Sequence, residues 1–148
     1  MRLQERLTNY FKNKPATFYF AFVTAGLVFV TSIVYAIMFA GSELMSWGVF
    51  VCAFLALFVF FVLSLFDMPR LGATAVAILT FTALIMLLVS AYNFVWDEVN
   101  IIAMGSEITS QFISMVVCVA LFLIMVILAN ICAWLKLVKR PKKEENND

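Results

Sequence analysis

Long apolar runs alternate with short polar joints along the whole chain, and the runs, not the joints, set its organisation. Four stretches, at 16–40, 45–66, 71–96 and 111–135, hold no Lys, Arg, Asp or Glu except at their very ends. A helix needs about 20 such residues to cross a bilayer, so each stretch is expected to span, with some tilt in the longer ones. The joints carry helix-ending chemistry. Pro69 cannot continue the second span and biases Met68 away from helix, which makes LFDMPRLG a tight turn. GSELMS (41–46) and GSEITS (105–110) close the other two hairpins. In each, Gly is expected to end the preceding helix in the left-handed conformation. The following Ser is expected to cap the next helix, with Glu43 or Glu107 in its first turn against the helix dipole. The pattern therefore predicts an all-α integral membrane protein, a four-span up-and-down transmembrane helix bundle, as one domain over residues 1–148.

Composition agrees. Of 148 residues, 65% are apolar and 13% charged, whereas a soluble globule is nearer half apolar. Charge then orients the bundle. Arg2, Arg6, Lys12, Lys14, Arg70, Lys136, Lys139, Arg140, Lys142 and Lys143 are all the basic residues, and this threading puts them on one side. Glu43, Asp97, Glu98 and Glu107 fall on the other. Basic residues in short loops are retained in the cytoplasm, so both termini are expected there, in a cell (inner or plasma) membrane. No secretory leader is expected, because the first fifteen residues are polar and basic. Leu3, Leu7, Tyr10 and Phe11 form one helical stripe within residues 1–15, which predicts a short N-terminal interfacial amphipathic helix on the cytoplasmic leaflet or on a partner. Residues 136–148 read as a tail, basic and then acidic. Its Lys136, Lys139, Arg140, Lys142 and Lys143 are expected to attract anionic lipid headgroups.

Candidate chemistry is sparse. There is no histidine, and Cys52, Cys118 and Cys132 lie within spans without a CxxC pair, as small apolar residues would. No nucleophile elbow and no phosphate loop appears. Neither an enzyme nor a bound cofactor is expected, and no nucleic-acid partner. Ion-coupled carriers keep an ionisable group within the membrane, whereas these spans offer neutral groups such as Asn130, Ser32, Ser64, Thr80, Thr82 and Ser90. The acidic stretch WDEVNIIAMGSE (96–107) offers Asp97, Glu98, Asn100 and Glu107. An all-oxygen set would suit a hard cation, but on a continuing helix Asp97 and Asn100 share a face and Glu98 points about 100° away. A solvated outer rim is the expected reading, and an extracellular cation cluster the alternative. Trp47 and Trp96 sit where an aromatic belt belongs.

Small residues mark packing faces. Ala21, Ala25, Ser32 and Ala36 align on the first span, and Ala73, Ala77, Thr80 and Ala91 on the third. Small side chains let helix backbones approach closely in lipid, so these two spans are expected to form the tight internal contact. The second span, including Leu57 and Phe61, reads as facing lipid or an apolar partner helix. The echo of GSELMS in GSEITS, with Cys52 and Cys118 in similar settings, allows a duplicated hairpin or the chance recurrence of capping residues. By elimination the expected function is a non-catalytic accessory or scaffolding subunit of a larger membrane complex such as a transporter. The expected partners are membrane lipid and another integral membrane protein. A small self-associating pore or carrier, including a holin-like one, is the alternative.

Overall fold

The structure is a computed structural model that describes residues 14–66, 68–105 and 107–135. The stripe Leu3, Leu7, Tyr10 and Phe11 and the basic residues from Lys136 onward lie outside the described residues. Those described form helices and turns without a strand. The helices are α1 (Ala16–Met38), α2 (Trp47–Leu65), α3 (Pro69–Ala103) and α4 (Ser110–Trp134). All four are long and apolar enough to cross a membrane.

Local sequence explains most of the boundaries. Pro15 precedes α1 in an extended conformation, and Pro69 opens α3 at its first position, where a missing N–H costs nothing. Gly41 and Gly105 take φ of 78° and 85°, the left-handed stop expected of them. The serine caps differ from expectation. The Ser42 hydroxyl turns back to donate to the Phe39 carbonyl, and α2 begins only at Trp47. α4 is capped instead by Thr109, whose hydroxyl accepts from the Phe112 N–H. Neither α2 nor α4 has an acidic residue in its first turn, so Glu43 and Glu107 do not serve the helix dipoles as proposed. Both lie in the connections, a few residues too early.

Short connections force consecutive helices antiparallel, and each helix packs on its two chain neighbours in a square closed by α1 against α4. The buried clusters record this threading by depth. Phe18, Ala21, Phe60, Ala73, Val76 and Cys132 meet at the end where the chain termini leave the bundle. Tyr35, Phe39, Val49, Ala91, Met115 and Cys118 meet at the opposite, loop end. Val28, Ala53 and Met125 lie between them.

The small-residue faces are buried as expected, with Ala36 alone at intermediate depth. Their pairing is not as expected. α1 and α3 are diagonal partners that approach less than any neighbouring pair, while the backbones of α2 and α4, on the other diagonal, stay farther apart. The alanines therefore shorten one diagonal of the square and do not form a neighbouring interface. The most extensive contact is α2 on α3. There Gly72 is buried, and a Cβ on it would lie 3.1 Å from Phe60 Cδ2 and 3.3 Å from Phe60 Cα. The Phe60 backbone cannot yield as a side chain could. Leu57, expected on the outer surface, packs in part against the core, and the outward residues of α2 include Phe54, Phe58 and Phe61.

Gly72→Ala should therefore lower the melting temperature of the purified protein, since overpacking costs about 1–3 kcal/mol, more than the ~1 kcal/mol that helix propensity returns. Gly26, with nothing within 4 Å of an added Cβ, is the control. Gly26→Ala should be the milder change, and the reverse order in a thermal-shift assay would contradict the backbone contact.

Candidate functional site

Interior polar groups come first, because an apolar bundle must satisfy each of them. Thr24, Thr31, Ser32, Ser64 and Thr80 are buried, and each hydroxyl donates to a carbonyl three or four residues back on its own helix. These bonds spare each hydroxyl from being orphaned and leave it little capacity for a passing solute. Thr24 Oγ1 also stands 3.4 Å from Cys132 Sγ, a link from α1 to α4. Cys118 Sγ lies 3.7 Å from Met38 Sδ. Cys52, Cys118 and Cys132 are buried thiols set among apolar side chains.

The loop end holds the two polar constructions that tie elements together. In the first, the buried Tyr35 hydroxyl donates to the Leu44 carbonyl at 2.6 Å and accepts from the Ser46 N–H at 2.9 Å. Its ring packs edge-on against Phe122, so one side chain of α1 pins the first loop onto α4. Sequence reasoning missed Tyr35, whose role depends on a loop folding back across eleven residues.

The second construction is Glu98. Residues 97–103 continue α3 for seven residues past the expected end, so roughly 10 Å of helix stands beyond Trp96. On this extension Asp97 and Asn100 are exposed, and Glu98 faces inward with 5% of its surface accessible. The expected divergence of Glu98 from Asp97 and Asn100 thus holds, but its assignment to a solvated rim does not. Glu98 extends the buried stripe Leu84, Leu87, Ala91 by one heptad. That spacing was readable in the sequence once the helix was carried past Trp96. Thr109 Oγ1 donates to Glu98 Oε1 at 2.9 Å while accepting from Phe112 N–H. The carboxyl is thereby joined through one hydroxyl to the start of α4. Its other oxygen, Oε2, is buried without a hydrogen-bond partner among the described residues.

Asp97, Glu98, Asn100 and Glu107 are not assembled into one cage. Glu107 is exposed beyond Gly105, and no three Asp, Glu, Cys or His side chains converge among the described residues. Trp47 and Trp96 are both exposed near the loop end, as an aromatic belt requires. GSELMS and GSEITS share the left-handed glycine and little more, since one loop is held by Tyr35 and the other connection by Glu98. No protein-family model, no curated protein and no solved structure matches the chain.

A double-mutant cycle tests the Glu98–Thr109 link. Glu98→Gln and Thr109→Val should each destabilise the protein, the second by about 1 kcal/mol from the cap alone. Their effects should be non-additive by at least ~0.5 kcal/mol. Asp97→Asn and Glu107→Gln should stay within about 0.5 kcal/mol of the parent. Strict additivity, or an Asp97 effect equal to that of Glu98, would show that the carboxyl is no more than rim.

Proposed function

We propose that this protein is a non-catalytic accessory or scaffolding subunit of a larger membrane assembly, threaded with both termini in the cytoplasm of a cell membrane. The observation that supports the reading is the state of the bundle interior. Its buried serine and threonine hydroxyls are turned back onto their own helices, and alanines close one diagonal against α3. The buried carboxyl stands past Trp96, at the loop end, and not in mid-span where ion coupling is expected to place one. Such a bundle suits holding a shape more than passing a solute.

The outer surface offers more. Phe54, Phe58 and Phe61 of α2 are exposed and, with Phe22 of α1, frame a shallow apolar groove. Phe54 and Phe58 stack at 6.4 Å with their planes 11° apart. Aromatic side chains fixed in this way present large contact area at little entropic cost, which is what a partner helix uses. Orientation rests on charge: among the described residues the basic ones, Lys14 and Arg70, fall at the terminal end.

Mild-detergent purification from the native membrane, with mass spectrometry of what co-purifies, tests the assignment. One integral membrane protein should be retained in near-stoichiometric amount, and Phe58→Ala with Phe61→Ala should release it without lowering the melting temperature by more than a few degrees. Retention of nothing but further copies of this chain would replace the reading with a self-assembling one. A cysteine at position 100 (Asn100→Cys) should react with an impermeant maleimide on intact cells, whereas reaction only after permeabilisation would invert the threading.

A further inference from the structure

A groove of about 640 Å³ runs between α3 and α4 at the terminal end of the bundle. Its lining changes character with depth. Arg70 and Trp134 stand at the mouth, Trp134 with 84% of its surface exposed. One helical turn deeper on each antiparallel helix lie Thr74 and Asn130. Beyond them come Ile78, Phe81 and Val126, with Thr82 at the far end, its hydroxyl donated to the Ile78 carbonyl. Among the described residues the lining holds a single charge, that of Arg70, and no carboxylate. Asn130 Nδ2 donates to the Val126 carbonyl at 2.8 Å, and the residue is exposed on the groove wall.

Cation and indole, then hydroxyl and amide, then hydrocarbon is the polarity order of a phospholipid read from phosphate through ester to acyl chain. Charge separates this occupant from an apolar partner helix: Arg70 at the mouth calls for an anion, and a phospholipid joins a phosphate to an acyl chain in one molecule. Basic pockets between spans at this depth suit anionic headgroups.

We propose that the α3–α4 groove is a binding site for one anionic phospholipid, with its phosphate on Arg70, its ester region against Thr74 and Asn130, and an acyl chain along Ile78, Phe81 and Val126. Arg70 here recognises charge, and the groove below it recognises the chain. This site is distinct from diffuse attraction by the basic residues after Trp134, because it needs both the guanidinium and the open volume.

The test uses the full chain carrying Trp47→Phe and Trp96→Phe, so that Trp134 is the sole fluorophore, reconstituted in phosphatidylcholine with increasing phosphatidylglycerol. Brominated phosphatidylglycerol should quench Trp134 with a higher relative association constant than brominated phosphatidylcholine. Arg70→Gln should reduce that preference about fivefold, the ratio that ~1 kcal/mol per basic residue implies. Ala133→Phe, which fills the groove and keeps Arg70, should reduce it as far. Helix content by circular dichroism should be unchanged in both, so that loss of folding is read separately. Equal quenching by the two lipids in the parent would overturn the site. So would a preference that survives both variants and disappears only when Lys136, Lys139, Arg140, Lys142 and Lys143 are neutralised together, since that is diffuse attraction alone. Loss with Arg70→Gln but not with Ala133→Phe would reduce the site to a surface ion pair and refute the groove.

Discussion

Hydrocarbon supplies no hydrogen bonds and no hydrophobic force between helices, and this protein is organised around that double constraint. Each buried serine and threonine hydroxyl in the spans must find its partner within the chain, and it does so on its own helix. Attraction between helices must then come from close packing, which small residues permit. Gly72 brings α3 onto the backbone of Phe60, and Ala21, Ala25, Ala73 and Ala77 draw α1 and α3 together across the bundle. Dispersion over these contacts is small for each atom pair and large in sum. The square of helices is therefore skewed, short on the diagonal where alanines meet.

The loop end obeys a different economy, because water and headgroups begin there. Two side chains with polar ends, Tyr35 and Glu98, reach from the helices to hold the connections. Tyr35 satisfies both groups it touches. Glu98 has one oxygen bonded and one not, so it is the site where the fold holds an unspent acceptor. A long α3 makes this possible: by continuing past Trp96 it brings Glu98 to the start of α4 and buries it against protein. The same helix at its other end carries Arg70 into the mouth of the α3–α4 groove. One helix thus presents opposite charges at the two ends of the bundle.

Much of the fold was legible in the sequence, for physical reasons that are local. Uncharged runs of this length announce helices, and Pro69, Gly41 and Gly105 act through their own backbone geometry. The small-residue faces were readable as buried, since Ala25 and Thr80 have no reason to line up otherwise. Their partners were not, because a stripe records which way a helix looks and not what it meets. Alanines on two helices suggested a pair of neighbours, and the chain used them across a diagonal. Glu98 was misplaced because a charged residue after Trp96 reads as the end of a span. The buried stripe from Leu84 through Ala91 in fact continues through that position. Gly72 and Tyr35 were missed because each works through a partner, Phe60 or the 44–46 loop, that sequence alone does not bring near.

The reading of this chain as a subunit that shapes an assembly, and transports nothing by itself, requires a sealed interior. Reconstitution of the purified protein into liposomes loaded with a pH-sensitive dye, with an imposed potassium gradient and valinomycin, measures that seal directly. The predicted result is proton and ion leak equal to that of protein-free liposomes across a wide range of protein-to-lipid ratios. Leak that rises with the amount of protein, whether in proportion or steeply as self-association would give, would contradict the account.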